Sequence, residues 1–134
     1  MGINVKVQVN YWRTNAAAKW KTAQGLYTLR RNADCLFFCH LTLECLLKGL
    51  VVTHTKTYAP KIHNLAYLAS KTSLIVSPER QEQLNMITTF NVAGRYPDVK
   101  FEFYKSITRN YTDHWLTITR TLRVWLLKGY RTIK

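Results

Sequence analysis

Glycine and proline are scarce in this sequence, five and three in 134 residues. An all-β chain needs a turn every few residues, and so few breakers cannot supply them. Acidic side chains are also few, seven against 20 Lys and Arg, which leaves a net charge of +13. That surplus excludes an acidic, self-solvating tail and predicts attraction to polyanions, because neutralising phosphates releases their condensed counterions. A basic surface kept only for solubility is the alternative. No Cys-x-x-Cys pair occurs. Cys35, Cys39 and Cys45 are odd in number, and on a helix Cys45 sits roughly 240° around from Cys39. They do not converge with His40 on a metal and read as small apolar side chains in a reducing compartment. Neither metal nor cofactor is expected. The N-terminus has no apolar run of the secretory type, so a cytoplasmic location is the expectation. The apolar run over residues 35–52 is interrupted by His40, Glu44 and Lys48, which are costly in lipid, and reads as a core helix with no membrane partner.

What is present is a chain 47% hydrophobic and 13% aromatic, long enough for one core and read as a single domain over 1–134. Val9, Trp12, Ala16, Trp20, Ala23 and Tyr27 recur three or four apart and predict a helix over about 5–30. Asn32 and Asp34 are candidate N-caps of a second helix running to about Thr53. That helix is apolar on nearly every side except for one row, His40, Glu44 and Lys48, at successive i,i+4 steps. The row is either a polar cleft at an interface or a ladder of bonds within one helix. A loop with Pro60 follows, and His63-Asn64 opens a short helix, Leu65 to about Ser70. Ser77-Pro78-Glu79 is a strong helix start. Gly94 to Asp98 is predicted as a loop, because Pro97 discourages helix at Tyr96. The spacing of Tyr104, Ile107, Tyr111, Trp115, Ile118, Leu122 and Trp125 predicts one last helix over about 101–130. The fold class is all-α, an antiparallel up-and-down bundle of four to five helices.

Several segments in this order resemble the HEPN family. They are Tyr11-Trp12 with Ala16, Trp20, Ala23 and Leu26-Tyr27; Cys35 through Glu44 with Lys48; Pro60, His63-Asn64-Leu65 and Leu68-Ala69; and Phe90-Asn91, Arg95-Tyr96-Pro97-Asp98 and Trp125-Leu126. The resemblance covers most of the chain and is carried by the ordered set. It implies a helical bundle that forms a homodimer and binds nucleotide or RNA. Members of the branch with the Arg-Tyr-Pro-Asp segment are often paired with a minimal nucleotidyltransferase as toxin and antitoxin. Many members are metal-independent ribonucleases with an Arg-x4–6-His motif near the start of the last main helix. Others bind nucleotides or serve in assembly without cutting RNA.

Two candidate sites follow. Arg109-Asn110-Tyr111-Thr112-Asp113-His114 reads as Arg-x4-His. A His can move the proton of a 2′-hydroxyl or leaving oxygen, and an Arg can stabilise charge on the phosphate. In similar toxins the Tyr within the motif is modified by the partner nucleotidyltransferase, and Tyr111 holds that place. On a straight helix Arg109 and His114 lie roughly 140° apart, so the helix must begin or bend there, or a dimer mate must complete the site. The second site is Arg95 and Tyr96 with Lys100 and His63, where a cation beside a ring suits a phosphate and a stacked base. Arg95 and Asp98 would alternatively serve as helix caps, and so would His63 with Asn64.

Overall fold

The computed structural model describes residues 2–131, with side chains except those of residues 93, 94, 97, 99 and 100. Within that range it is all-helical: α1 (Val5–Thr28), α2 (Asn32–Thr55), α3 (Leu65–Ser70), α4 (Pro78–Arg95), α5 (Pro97–Ser106) and α6 (Arg109–Arg131).

α1 starts where the Asn4 side chain accepts the Val7 N–H, and its apolar stripe buries Ala16, Trp20 and Ala23. It stops on a 6→1 bond from Arg31 N–H to the Leu26 carbonyl at 2.9 Å and a second bond from Arg30 N–H to the Tyr27 carbonyl at 3.0 Å. Arg30 takes the left-handed conformation, φ 60°, that this motif requires at its turning residue and that glycine usually supplies. The turn delivers the chain straight into α2.

α2 is the axis of the molecule. It contacts every other helix, and Leu36, Leu43, Leu47 and Leu50 have no exposed surface. Burying each such side chain contributes about 1.5–3 kcal/mol. By length and composition α2 could cross a membrane, but 83% of its most apolar stretch is buried against the rest of the chain. Cys35, Cys39 and Cys45 are buried, free thiols on this helix. The backbone of α2 comes close to α6 at Gly49, where an added Cβ would collide with the Tyr130 hydroxyl that donates to the Leu46 carbonyl at 2.6 Å. A larger residue there would have to displace the Tyr130 ring and its bond to Leu46.

Three local expectations are corrected. Neither Asn32 nor Asp34 caps α2: Arg31 holds the cap position without a side-chain bond, and Asn32 is already helical. The side chains of Asn32 and Asp34 are instead engaged by Arg109 and by Tyr104, respectively. The predicted loop at 94–98 shrinks to Tyr96 alone, which is extended (φ −115°, ψ 119°) between α4 and α5. Pro97 excludes helix only at the residue before it and opens the next helix as its first residue. The predicted helix over 101–130 is two helices, which makes six among the described residues. Ile107 is extended (ψ 126°), and the Thr108 side chain accepts the Tyr111 N–H at 3.0 Å, an N-cap bond that starts α6 at Arg109.

Candidate functional site

Along α2, His40, Glu44 and Lys48 lie one turn apart in a single line, and all three are buried. Lys48 Nζ donates to Glu44 Oε2 at 3.3 Å. The other carboxylate oxygen, Oε1, lies 2.8 Å from His63 Nδ1 and 3.7 Å from His40 Nε2. The row is therefore more than a ladder within one helix. The connection before α3 brings His63 over Glu44, and the His63 carbonyl lies 2.8 Å from His40 Nε2. His63 does not cap α3; Asn64 does, accepting the Tyr67 N–H at 2.9 Å. Lys48 also lies over the Trp12 ring of α1, 5.3 Å from its centroid. A charge removed from water needs this kind of pairing, and Glu44 supplies it on both oxygens.

His40 donates through Nε2, which leaves Nδ1 buried and without a hydrogen-bond partner among the described residues. Burial pushes the His40 imidazole below its usual pKa, an effect opposed by the His63 carbonyl and Glu44 and reinforced by His63 and Arg95. A proton on Nδ1 would find no acceptor. The folded state therefore resists protonation that the unfolded chain accepts near the ordinary histidine pKa of about 6.5. Below that pH the unfolded state binds more protons, and stability falls as pH falls. Melting curves at pH 7.5 and 5.5 are expected to show a drop in midpoint that is smaller in His40→Asn. An equal drop in both proteins would overturn this assignment.

At the surface edge of this seam stands Arg95, in the last turn of α4. Its Nε donates to Asn91 Oδ1 at 2.6 Å, and its guanidinium lies 5.7 Å from the centroid of Phe37 on α2. Asn91 is buried, whereas Tyr96, the next residue along from Arg95, is 60% exposed. His63 closes over the row at Glu44, and the charge of Arg95 acts on His40. The side chain of Lys100 lies outside the described residues. Asn91 and Phe37 join this edge without having been expected there. Asn91 does carry a signal in sequence, as a polar residue at i−4 from Arg95 on the face that buries Leu84, Ile87 and Phe90.

Arg109 and His114 do not meet within one chain. Arg109 Nη1 donates to the Tyr27 carbonyl at 2.8 Å and to Asn32 Oδ1 at 3.0 Å, and its guanidinium sits 3.5 Å from the Tyr27 ring centroid. The Tyr27 hydroxyl donates in turn to Asp113. His114 points elsewhere. Its exposed ring stands edge-on to Trp115 at 5.2 Å and lines a groove with Glu79, Glu82, Gln83 and Met86 of α4. Tyr111 packs near Phe90 and Trp115, and partial burial raises its phenol pKa. The Tyr27 and Asp113 contacts with this corner are between elements, and no local sequence pattern signals them.

The HEPN domain family model matches residues 9–130. The chain is also similar in structure to TT1696 from Thermus thermophilus, with a TM-score of 0.77 and 18% sequence identity over 91% of this chain and 98% of that one. At that identity the likeness is one of fold. No curated protein matches the sequence.

Proposed function

The chain belongs to the HEPN domain family, and on that premise we propose that it is a cytoplasmic nucleotide- and RNA-binding module. In this reading it is one helical domain that forms a homodimer and partners a minimal nucleotidyltransferase in a toxin–antitoxin type system. The Arg-Tyr-Pro-Asp segment at 95–98 resembles the branch in which that pairing is common. An antiparallel order of helices is part of the reading. Tyr27 with Arg109, Trp20 with Arg120, and Arg13 with Tyr130 step down α1 while they step up α6.

The observation that carries the proposal is the Arg95 edge. Asn91 fixes the guanidinium through Nε over the Phe37 ring, which leaves its other donors for a phosphate, and the exposed Tyr96 that follows it in sequence carries a ring able to stack a base. The reading requires no metal or cofactor. A nucleotide that binds the folded state raises its stability, by about 2.7 kcal/mol at 100 times Kd. The expected result is a higher melting midpoint with at least one member of a nucleotide panel and loss of that shift in Arg95→Ala. An unchanged midpoint across the panel would remove the proposal.

A second reading, a metal-independent endoribonuclease, is favoured by one observation. α6 begins at Arg109, so Arg109 and His114 occupy its first two turns and the His114 ring is exposed. Because the two side chains face different neighbours, a dimer mate would have to complete the site. RNA cleavage in EDTA, abolished in His114→Ala without a change in melting, supports this reading; absence of cleavage excludes it.

A further inference from the structure

The seven acids are Asp34, Glu44, Glu79, Glu82, Asp98, Glu102 and Asp113. None precedes residue 34 and none follows residue 113. α1 and all of α6 beyond Asp113 are therefore free of carboxylate side chains, and the fold brings long side chains of these two segments together. Arg120 and Arg123 of α6 lie over Trp20 of α1 at 5.7 and 5.5 Å, and Arg13 of α1 lies over Tyr130 of α6 at 4.6 Å. On the opposite flank of α6, Arg80 of α4 stacks on Trp125 at 4.4 Å. Between the flanks runs a groove of about 410 Å³ lined by Arg80, Arg120, Thr121, Val124, Trp125 and Lys128. Glu79 and Glu82 lie in the neighbouring groove with His114, not in this one.

We infer that this outer face of α6, with its flanks on α1 and α4, is a binding surface for the phosphate backbone of RNA, separate from the Arg95 edge. The inference rests on the RNA-binding reading above and adds the place. Five cations, Arg13, Arg80, Arg120, Arg123 and Lys128, line this face or its flanks. The way the guanidiniums are held matters as much as their number. Among the described residues, Arg13, Arg80, Arg120 and Arg123 have no carboxylate within 4.0 Å; aromatic rings hold them instead. Stacking orients a guanidinium while leaving its in-plane N–H donors free for an incoming phosphate. Arg120 and Lys128 lie eight residues apart, about 12 Å along the helix, a span that meets several phosphates of a strand. A membrane surface is the less suitable partner, because an interfacial helix presents an apolar face. α6 turns its apolar residues Leu116, Leu122 and Leu126 into the core, and the exposed large apolar side chain lining the groove is Val124.

The test is binding of a fluorescent single-stranded RNA to the full chain across a salt series. Arg120→Gln/Lys128→Gln is expected to weaken binding at least tenfold and to lower the slope of log K against log salt by about 1.4, since each phosphate no longer neutralised removes about 0.7. Lys61→Gln/Lys105→Gln removes the same charge away from this face and is expected to leave Kd within about twofold. The single variants Arg120→Gln and Lys128→Gln, each expected to lower the slope by about 0.7, serve if the double variant melts early. Equal effects of the two double variants would overturn the inference and leave the RNA-binding reading standing. Absence of RNA binding at low salt would overturn both, whereas the nucleotide melting shift tests the Arg95 edge by itself. Binding to phosphatidylserine vesicles but not to RNA, with the same variant sensitivity, would reassign the face to a membrane.

Discussion

Truncation of Glu44 to alanine is expected to cost about 3–5 kcal/mol, because it leaves the Lys48 ammonium buried with no countercharge. Lys48 and Glu44 are each only 6% exposed, so little solvent is at hand to replace the missing carboxylate. His63 and His40 lose their neighbour in the same step. Urea unfolding measures the loss, and the companion variant Glu44→Met/Lys48→Met identifies its cause. Replacing both partners by apolar side chains of similar length is often near neutral, so the double variant is expected to regain most of what Glu44→Ala loses. If the double variant is as unstable as the single one, the destabilisation does not come from an orphaned charge.

Phe90→Ala is expected to cost a similar amount, about 3–5 kcal/mol, through loss of buried surface and the cavity left behind. Phe90 is 1% exposed and joins three helices. Its ring stacks on Phe103 of α5 at 5.7 Å and meets Tyr111 and Trp115 of α6 edge-on at 6.3 and 6.0 Å. Because among the described residues α5 touches only α4 and α2 appreciably, removing this ring withdraws a large share of what seats it. Phe90→Leu refills most of the volume and is expected to lose far less. A urea midpoint for Phe90→Ala within about 1 kcal/mol of the parent would show that the aromatic contacts are not the seat of α5.

The legible parts of the fold are those that depend on neighbours in sequence. The α1 stripe, the short helix Leu65–Ser70 and the start at Ser77-Pro78 appear where local patterning puts them. The break between α5 and α6 is hidden because the apolar period runs through it without a gap: Tyr104, Ile107 and Tyr111 keep their spacing whether or not the helix continues. Thr108 carries the stop in its side chain, but a threonine between an isoleucine and an arginine is a weak cap signal. Arg95 is helical although a proline follows two residues later, because the steric effect of Pro97 reaches back only to Tyr96. The row His40, Glu44 and Lys48 is legible as a row. Its closure by His63 is not, because that contact depends on how a connection folds back over α2. The same holds for Arg109, whose partners Tyr27 and Asn32 lie 82 and 77 residues away in sequence.

α2 touches all five other helices, whereas α5 rests on two. In hydrogen-exchange terms this is a molecule with one late-opening centre and one early-opening edge. Amides of α2 are protected until the whole chain opens, since each of its neighbours would have to leave before water reached its backbone. α5 is expected to open earlier as a small unit of its own, and its departure would uncover Phe90, which it covers through Phe103.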